Sequence, residues 1–112
     1  MFKEIEVNDL HSLMQEKQQD IQIVDVREHN EVATGIIPDA VHIPLVKLPY
    51  ELHKIDDSKR VVFVCRSGAR SAQACYFVQR YGNMQAYNLR GGMMAWHQYQ
   101  QYAQQTGLNT IN

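Results

Sequence analysis

The sequence has little of what would commit it to a special compartment or cofactor. Two cysteines in 112 residues are too few for the disulfide framework that staples small secreted domains. The longest aliphatic or aromatic run, Val61–Val64, is far short of the roughly 20 residues that span a bilayer, so no membrane partner is expected. Residues Met1–Glu6 lack the basic segment and apolar stretch of a secretory signal, which makes a cytoplasmic location the expectation. Charge of one sign is also missing. Eleven Lys and Arg against 12 Asp and Glu leave a net charge of −1, with no global positive field to favour nucleic acid. The five histidines, His11, His29, His42, His53 and His97, show no paired metal-ligand spacing, and two cysteines cannot complete a zinc cluster. Solvated or structural roles are expected for them, and no metal site.

What is present is ordinary globular material: 45% hydrophobic and 21% charged residues, in a length suited to one domain over 1–112. Short apolar runs at Ile21–Val26, Val41–Ile43, Arg60–Val64 and Gln85–Leu89 alternate with helically spaced segments, which predicts an α/β fold. Asn8 or Asp9 is the expected cap of a first helix carrying Leu10, Leu13 and Met14. Between 28 and 59, Gly35, Pro38, Pro44 and Pro49 break the pattern into short pieces. After Ser71, the spacing of Ala74, Phe77, Val78 and Tyr81 predicts a helix that Gly82 stops. A closing helix from about Met93 carries Trp96, Tyr99 and Ala103 on one face, and the Gln-rich tail is expected to fray from about 105.

The chemistry concentrates between strand Val61–Val64 and the following helix, in Cys65-Arg66-Ser67-Gly68-Ala69-Arg70-Ser71. A loop that leaves a parallel strand and opens a helix turns backbone N–H groups inward and adds the positive end of the helix dipole. Cys65 at its base, near Arg66 and Arg70, is the candidate nucleophile, because each of these features favours thiolate over thiol. Arg66, Ser67, Gly68, Ala69, Arg70 and Ser71 form the candidate cradle for a small anion; Gly68 suits a tight curl and Ser67 and Ala69 leave the mouth open. Cys75, inside the next helix beside Ala74, Phe77 and Val78, reads as core, and the helical turns between the two cysteines exceed the ~7 Å reach of a disulfide.

Four separated segments carry a family resemblance: Val24–Glu28, Gly35–Pro44, Cys65–Ser71, and Leu89–Gly92 with Ala95-Trp96. In this order they resemble the signatures of the rhodanese homology family of sulfurtransferases across nearly the whole chain. The resemblance implies a mainly parallel five-stranded sheet flanked by helices. It also implies a Cys65 persulfide that carries sulfur from thiosulfate or another anionic donor to a thiol, cyanide or protein acceptor, with no cofactor. Asp25 and Arg27 match an acidic and basic pair that the resemblance implies is structural, with Arg27 bonded to Glu31. Ile36 and Val32 depart from the family pattern, where His and an aromatic residue are usual, and altered packing is the expected consequence.

Two other functions share the architecture. Dual-specificity phosphatases of similar fold also pair a loop Cys with Arg, but place five residues between them, whereas Arg66–Ala69 are four. A non-catalytic binding module is the third reading, which retention of Cys65 in an intact loop disfavours. Nothing in the sequence fixes the oligomeric state.

Overall fold

Val61, Val62, Phe63 and Val64 are almost completely buried, and their side chains alternate between two apolar clusters. A strand covered on both faces belongs to the interior of a parallel sheet. The computed structural model, which describes residues 2–16 and 20–107, places this strand at the sheet's centre. In chain order the elements are β1 (Lys3–Ile5), α1 (Val7–Gln15), β2 (Ile21–Asp25), α2 (His29–Val32), β3 (Val41–His42), β4 (Arg60–Val64), α3 (Ala69–Tyr81), β5 (Ala86–Leu89) and α4 (Gly92–Thr106). The sheet order is β1-β5-β4-β2-β3, and every pairing is parallel, as the α/β reading requires.

The period of two in β4 divides the core. Val61 and Phe63 meet Val24 and Val26 of the β2 segment and Ala74, Cys75 and Val78 of α3. Val62 and Val64 meet Ile23, Leu10 of α1, and Met93 and Trp96 of α4. Phe63 is fully buried at the middle, where truncation to Ala costs about 3–5 kcal/mol. From β4 the sheet runs to β5 and β1 on one side and to β2 and β3 on the other. The carboxyl end of such a central strand is where open α/β sheets bind ligands.

The differences from the sequence reading are local. Helix α1 starts at Val7 with Glu6 as an extended cap lacking a side-chain hydrogen bond, because Val7 is itself buried with Leu10 and extends the apolar face by one turn. Strand β1 shows no apolar run, since two of its three residues are exposed at the sheet edge. The short pieces expected between 28 and 59 include two 3-10 turns, Leu45–Tyr50 and Leu52–Lys54, with Pro49 inside the first. Helix α4 continues to Thr106 and is closed by Gly107 at φ +80°. The rest of the expected frayed tail, 108–112, lies outside the described residues.

Candidate active site

Cys65 is the first residue beyond β4, and the chain then turns through Arg66, Ser67 and Gly68 into α3. Gly68 is the N-cap, at φ +114°, a conformation that a side chain would strain. The turn points the Gly68 N–H at Cys65 Sγ over 3.1 Å, and the Ser71 hydroxyl reaches the same sulfur at 3.3 Å. Burial, with the residue only 1% exposed, pushes the thiol up. The Ser71 hydroxyl and the backbone N–H groups of Ser71, Gly68 and Ser67 more than offset that burial, so the thiol titrates below its ordinary value.

The outer side of the loop is held by a second helix. The Met93 N–H donates to the Cys65 carbonyl at 2.8 Å, and the Met94 N–H donates to the Arg66 carbonyl at 3.1 Å. These are N–H groups of the first turn of α4, which have no partner within their own helix. Gly92 permits the approach: its φ is +55°, and a Cβ there would collide with the Cys65 carbonyl oxygen and stand 2.6 Å from that of Arg66. With the loop's carbonyls taken by α4, its N–H groups face the sulfur.

The seven loop residues take different positions. Arg66, Ser67 and Ala69 are exposed, Gly68 and Arg70 are half-buried, and Ser71 is buried under the sulfur. Arg66 has no ion-pair partner among the described residues, and its side chain borders a groove of about 550 Å³ also lined by Asn30, Thr34, Met93, Met94 and His97. Arg70 is engaged elsewhere. Its two terminal nitrogens donate to the Glu31 carboxylate at 2.7 and 2.8 Å, and that hydrogen-bonded guanidinium draws the Glu31 pKa down to about 2.

The expected Arg27–Glu31 bond is present, but it runs to the Glu31 backbone carbonyl at 3.4 Å and not to the carboxylate. Arg27 also grips the buried Asp25 carboxylate, with contacts of 2.8 to 3.1 Å, and donates to the Gly35 carbonyl. His42 joins the same network through the Arg27 carbonyl. The pair therefore pins the segment around α2, and Arg27 and Glu31 also line the groove that Arg66 borders. Of the two departures from the family pattern, Val32 and Ile36 are both half-buried, while the neighbouring Ile37 is fully buried.

One site residue escaped the sequence reading. Asn88 of β5 is 4% exposed, accepts a hydrogen bond from the Ser71 hydroxyl at 2.5 Å, and donates from Nδ2 to the Gly68 carbonyl at 3.1 Å. Its register explains why: Asn88 pairs with Phe63, and Ala86 two residues earlier lies in the α3-side cluster, so Asn88 points to the same face beneath Ser71. A lone polar residue in an otherwise buried parallel strand is the available signal.

Cys75 is a free, fully buried thiol in α3, and burial raises its pKa to about 12. Among the described residues, no three His, Cys, Asp or Glu side chains group to hold a metal, and no helix is long and apolar enough to cross a membrane.

Residues 6–99 match the sequence profile of the Rhodanese-like domain family. A sulfurtransferase of Allochromatium vinosum is 40% identical over 96 residues, covering 86% of this chain and 89% of its own. The thiosulfate sulfurtransferase GlpE of Shewanella oneidensis is 32% identical over 97 residues, covering 87% of this chain and 94% of its own. A rhodanese-like domain protein from Staphylococcus aureus superposes with a TM-score of 0.79 at 35% identity, over 85% of this chain and 91% of that one. A Rhodopseudomonas palustris protein described as of unknown function and a possible tyrosine phosphatase also superposes at 0.79, with 26% identity over 88% of this chain and 81% of that one.

Proposed function

The chain belongs to the rhodanese-like domain family, and we propose that it is a sulfurtransferase that carries a sulfane sulfur on Cys65. The observation that carries this reading is the convergence of loop N–H groups and the Ser71 hydroxyl on Cys65 Sγ. A depressed pKa raises the thiolate fraction of Cys65 at a given pH, and the loop N–H groups suit the single negative charge of a persulfide. The Cys65 thiolate attacks the outer sulfur of thiosulfate. The Sγ–S bond forms as the bond to the sulfonate sulfur breaks, and the electron pair departs with sulfite. The charge then rests on the terminal sulfur of the persulfide. An acceptor thiolate or cyanide attacks that sulfur and returns Cys65 as thiolate, so one difficult transfer becomes two easier ones.

Arg66, which has no ion-pair partner among the described residues, favours an anionic donor, which approaches along the groove it shares with His97. Ser67, Ala69 and the Gly68 peptide frame the opening, and Ser71 supports the sulfur from below. Arg70 acts through position, tying the start of α3 to α2 by its bond to Glu31. A reducing compartment such as the cytoplasm keeps Cys65 competent and supplies thiol acceptors.

Resemblance to the Rhodopseudomonas palustris protein favours a second reading, phosphoester hydrolysis. Against it stand the four-residue spacing from Cys65 to Arg70 and the capture of Arg70 by Glu31, which leave a tetrahedral anion short of donors. The deciding test is intact-protein mass spectrometry after brief exposure to thiosulfate, with and without reductant. Sulfur transfer gives one added sulfur, mapped to Cys65 and removed by thiol. No added sulfur, together with Cys65-dependent hydrolysis of an aryl phosphate, would establish the phosphatase instead.

A further inference from the structure

The Ser71 hydroxyl has one proton and two acceptors. Its oxygen lies 2.5 Å from Asn88 Oδ1 and 3.3 Å from Cys65 Sγ. The orientation of the Asn88 amide is fixed from the other side, because the Gly68 carbonyl can only accept and therefore faces Nδ2. Oδ1 is thus the atom turned to Ser71, and Ser71 must be the donor in that bond. With its proton on Asn88, the hydroxyl shows Cys65 only lone pairs, which suit an S–H and oppose a thiolate. With its proton on the sulfur, it stabilises the thiolate and leaves Asn88 Oδ1 without a donor.

We propose that Asn88 is a positioning residue that competes with Cys65 for the Ser71 proton, so that the hydroxyl rotates between them as charge enters and leaves Sγ. The proposal rests on the reading of Cys65 as the sulfur-carrying nucleophile. In the thiol, Sγ–H donates to Ser71 Oγ, which donates to Asn88. In the thiolate, Ser71 donates to Sγ. When Sγ attacks the donor, its negative charge passes to the terminal sulfur of the persulfide, Sγ becomes a neutral bridging atom, and the hydroxyl turns back to Asn88. The bond that the sulfur gives up is remade on the amide, so the thiolate is stabilised without being held back from attack. A thiolate stabilised too well is a poorer nucleophile. The charged groups bearing on Cys65 from its other neighbours are Arg66 in the loop and Arg70 of α3, itself tied to Glu31 from α2; the first turn of α4 presents Gly92, Met93 and Met94, and β5 presents the neutral Asn88. Of these, only Asn88 accepts the hydroxyl proton.

The test is the pH dependence of Cys65 alkylation in the full chain carrying Cys75→Ser, with Asn88→Ala, Ser71→Ala and the double variant. Competition requires that Asn88→Ala lower the Cys65 midpoint, by about half to one pH unit for one hydrogen bond, since the hydroxyl is freed for the thiolate. Ser71→Ala should raise the midpoint, and adding Asn88→Ala to it should change nothing further. A purely structural Asn88, holding the Gly68 carbonyl and hence the loop, predicts the opposite sign: loosened N–H groups would raise the midpoint with or without Ser71. A rise or no change in Asn88→Ala, or an equal fall in both backgrounds, overturns the proposal. The chain with Asn88 and Ser71 intact provides a second readout that needs no change at Asn88. The side-chain Nδ2 resonance of Asn88 should titrate with the Cys65 midpoint and lose that step in Ser71→Ala; an undiminished step there also overturns it. Both measurements read the thiol without a sulfur donor. Failure to load sulfur from thiosulfate would therefore count against the proposed function and leave the midpoint order standing.

Discussion

Both cysteines are buried to within 1% of full enclosure, one at the mouth of α3 and one in its middle, yet their thiols move in opposite directions. Burial raises both. At Cys75 little opposes it, because the N–H groups of a helix interior are already bonded within the helix, and the thiol rises to about 12. At Cys65 the same burial is overcome by N–H groups left free at a helix start and by the Ser71 hydroxyl. Reactivity here follows from where the sulfur lies relative to the start of α3, not from how much water it sees.

The comparison breaks most sharply at the sulfurs themselves. Cys65→Ser should abolish thiosulfate:cyanide sulfur transfer, whereas Cys75→Ser should retain it; equal losses would remove the distinction. Alkylation near neutral pH should modify Cys65 alone in the folded protein, with Cys75 labelled only after denaturation, as peptide mapping can show.

Gly92→Ala comes next, because it strikes the clamp that turns the loop's N–H groups inward. The combination of φ +55° and two facing carbonyls should cost about 1–3 kcal/mol of stability and return the Cys65 thiol toward ordinary reactivity. Thermal melts and the alkylation profile read the two effects separately. Normal alkylation in a folded variant would show that α4 does not orient the loop.

Much of this contrast was legible in the residues. The strand Val61–Val64, the loop to Ser71 and the following helix are contiguous, so local patterning located Cys65 and separated it from Cys75. Asn88 was not legible, because it meets Ser71 across 17 residues and only the β4–β5 register brings the two together. The Arg70–Glu31 pair spans 39 residues and was illegible for the same reason: Arg27 is the nearer cation in sequence, but it holds the Asp25 carboxylate and meets Glu31 only at the backbone carbonyl. Strand β1 was missed because edge strands need no apolar run, and its partner β5 lies at the other end of the chain.

Smaller effects sharpen the role of charge at the mouth. Arg66→Ala should slow persulfide formation by roughly two- to fivefold, the range of an exposed charge, and the difference should shrink as salt rises and screening shortens to ~10 Å at 0.1 M. An unchanged rate at low salt would remove the argument for an anionic donor. The smallest effect concerns the Arg70–Glu31 tie. Because the Glu31 pKa is depressed from 4.5 to about 2 in the fold, its stabilising contribution is complete above pH 4.5 and is lost as pH falls toward 2. The melting temperature of Glu31→Gln should therefore lie below the unsubstituted protein's at neutral pH and converge with it in acid. A gap that persists at the acid end would assign the loss to packing rather than to the ion pair.

The clamp from α4 also sets an order of events during synthesis. The cysteine is added at position 65, but the N–H groups that fix its loop belong to residues 93 and 94, and Trp96, which seats their helix in the core, follows them. A ribosome-bound chain that has exposed only its first 90 residues carries the thiol without the frame that activates it. From the addition of residue 65 until α4 docks, the nascent protein thus carries an ordinary cysteine, and the reactive one appears only with that docking.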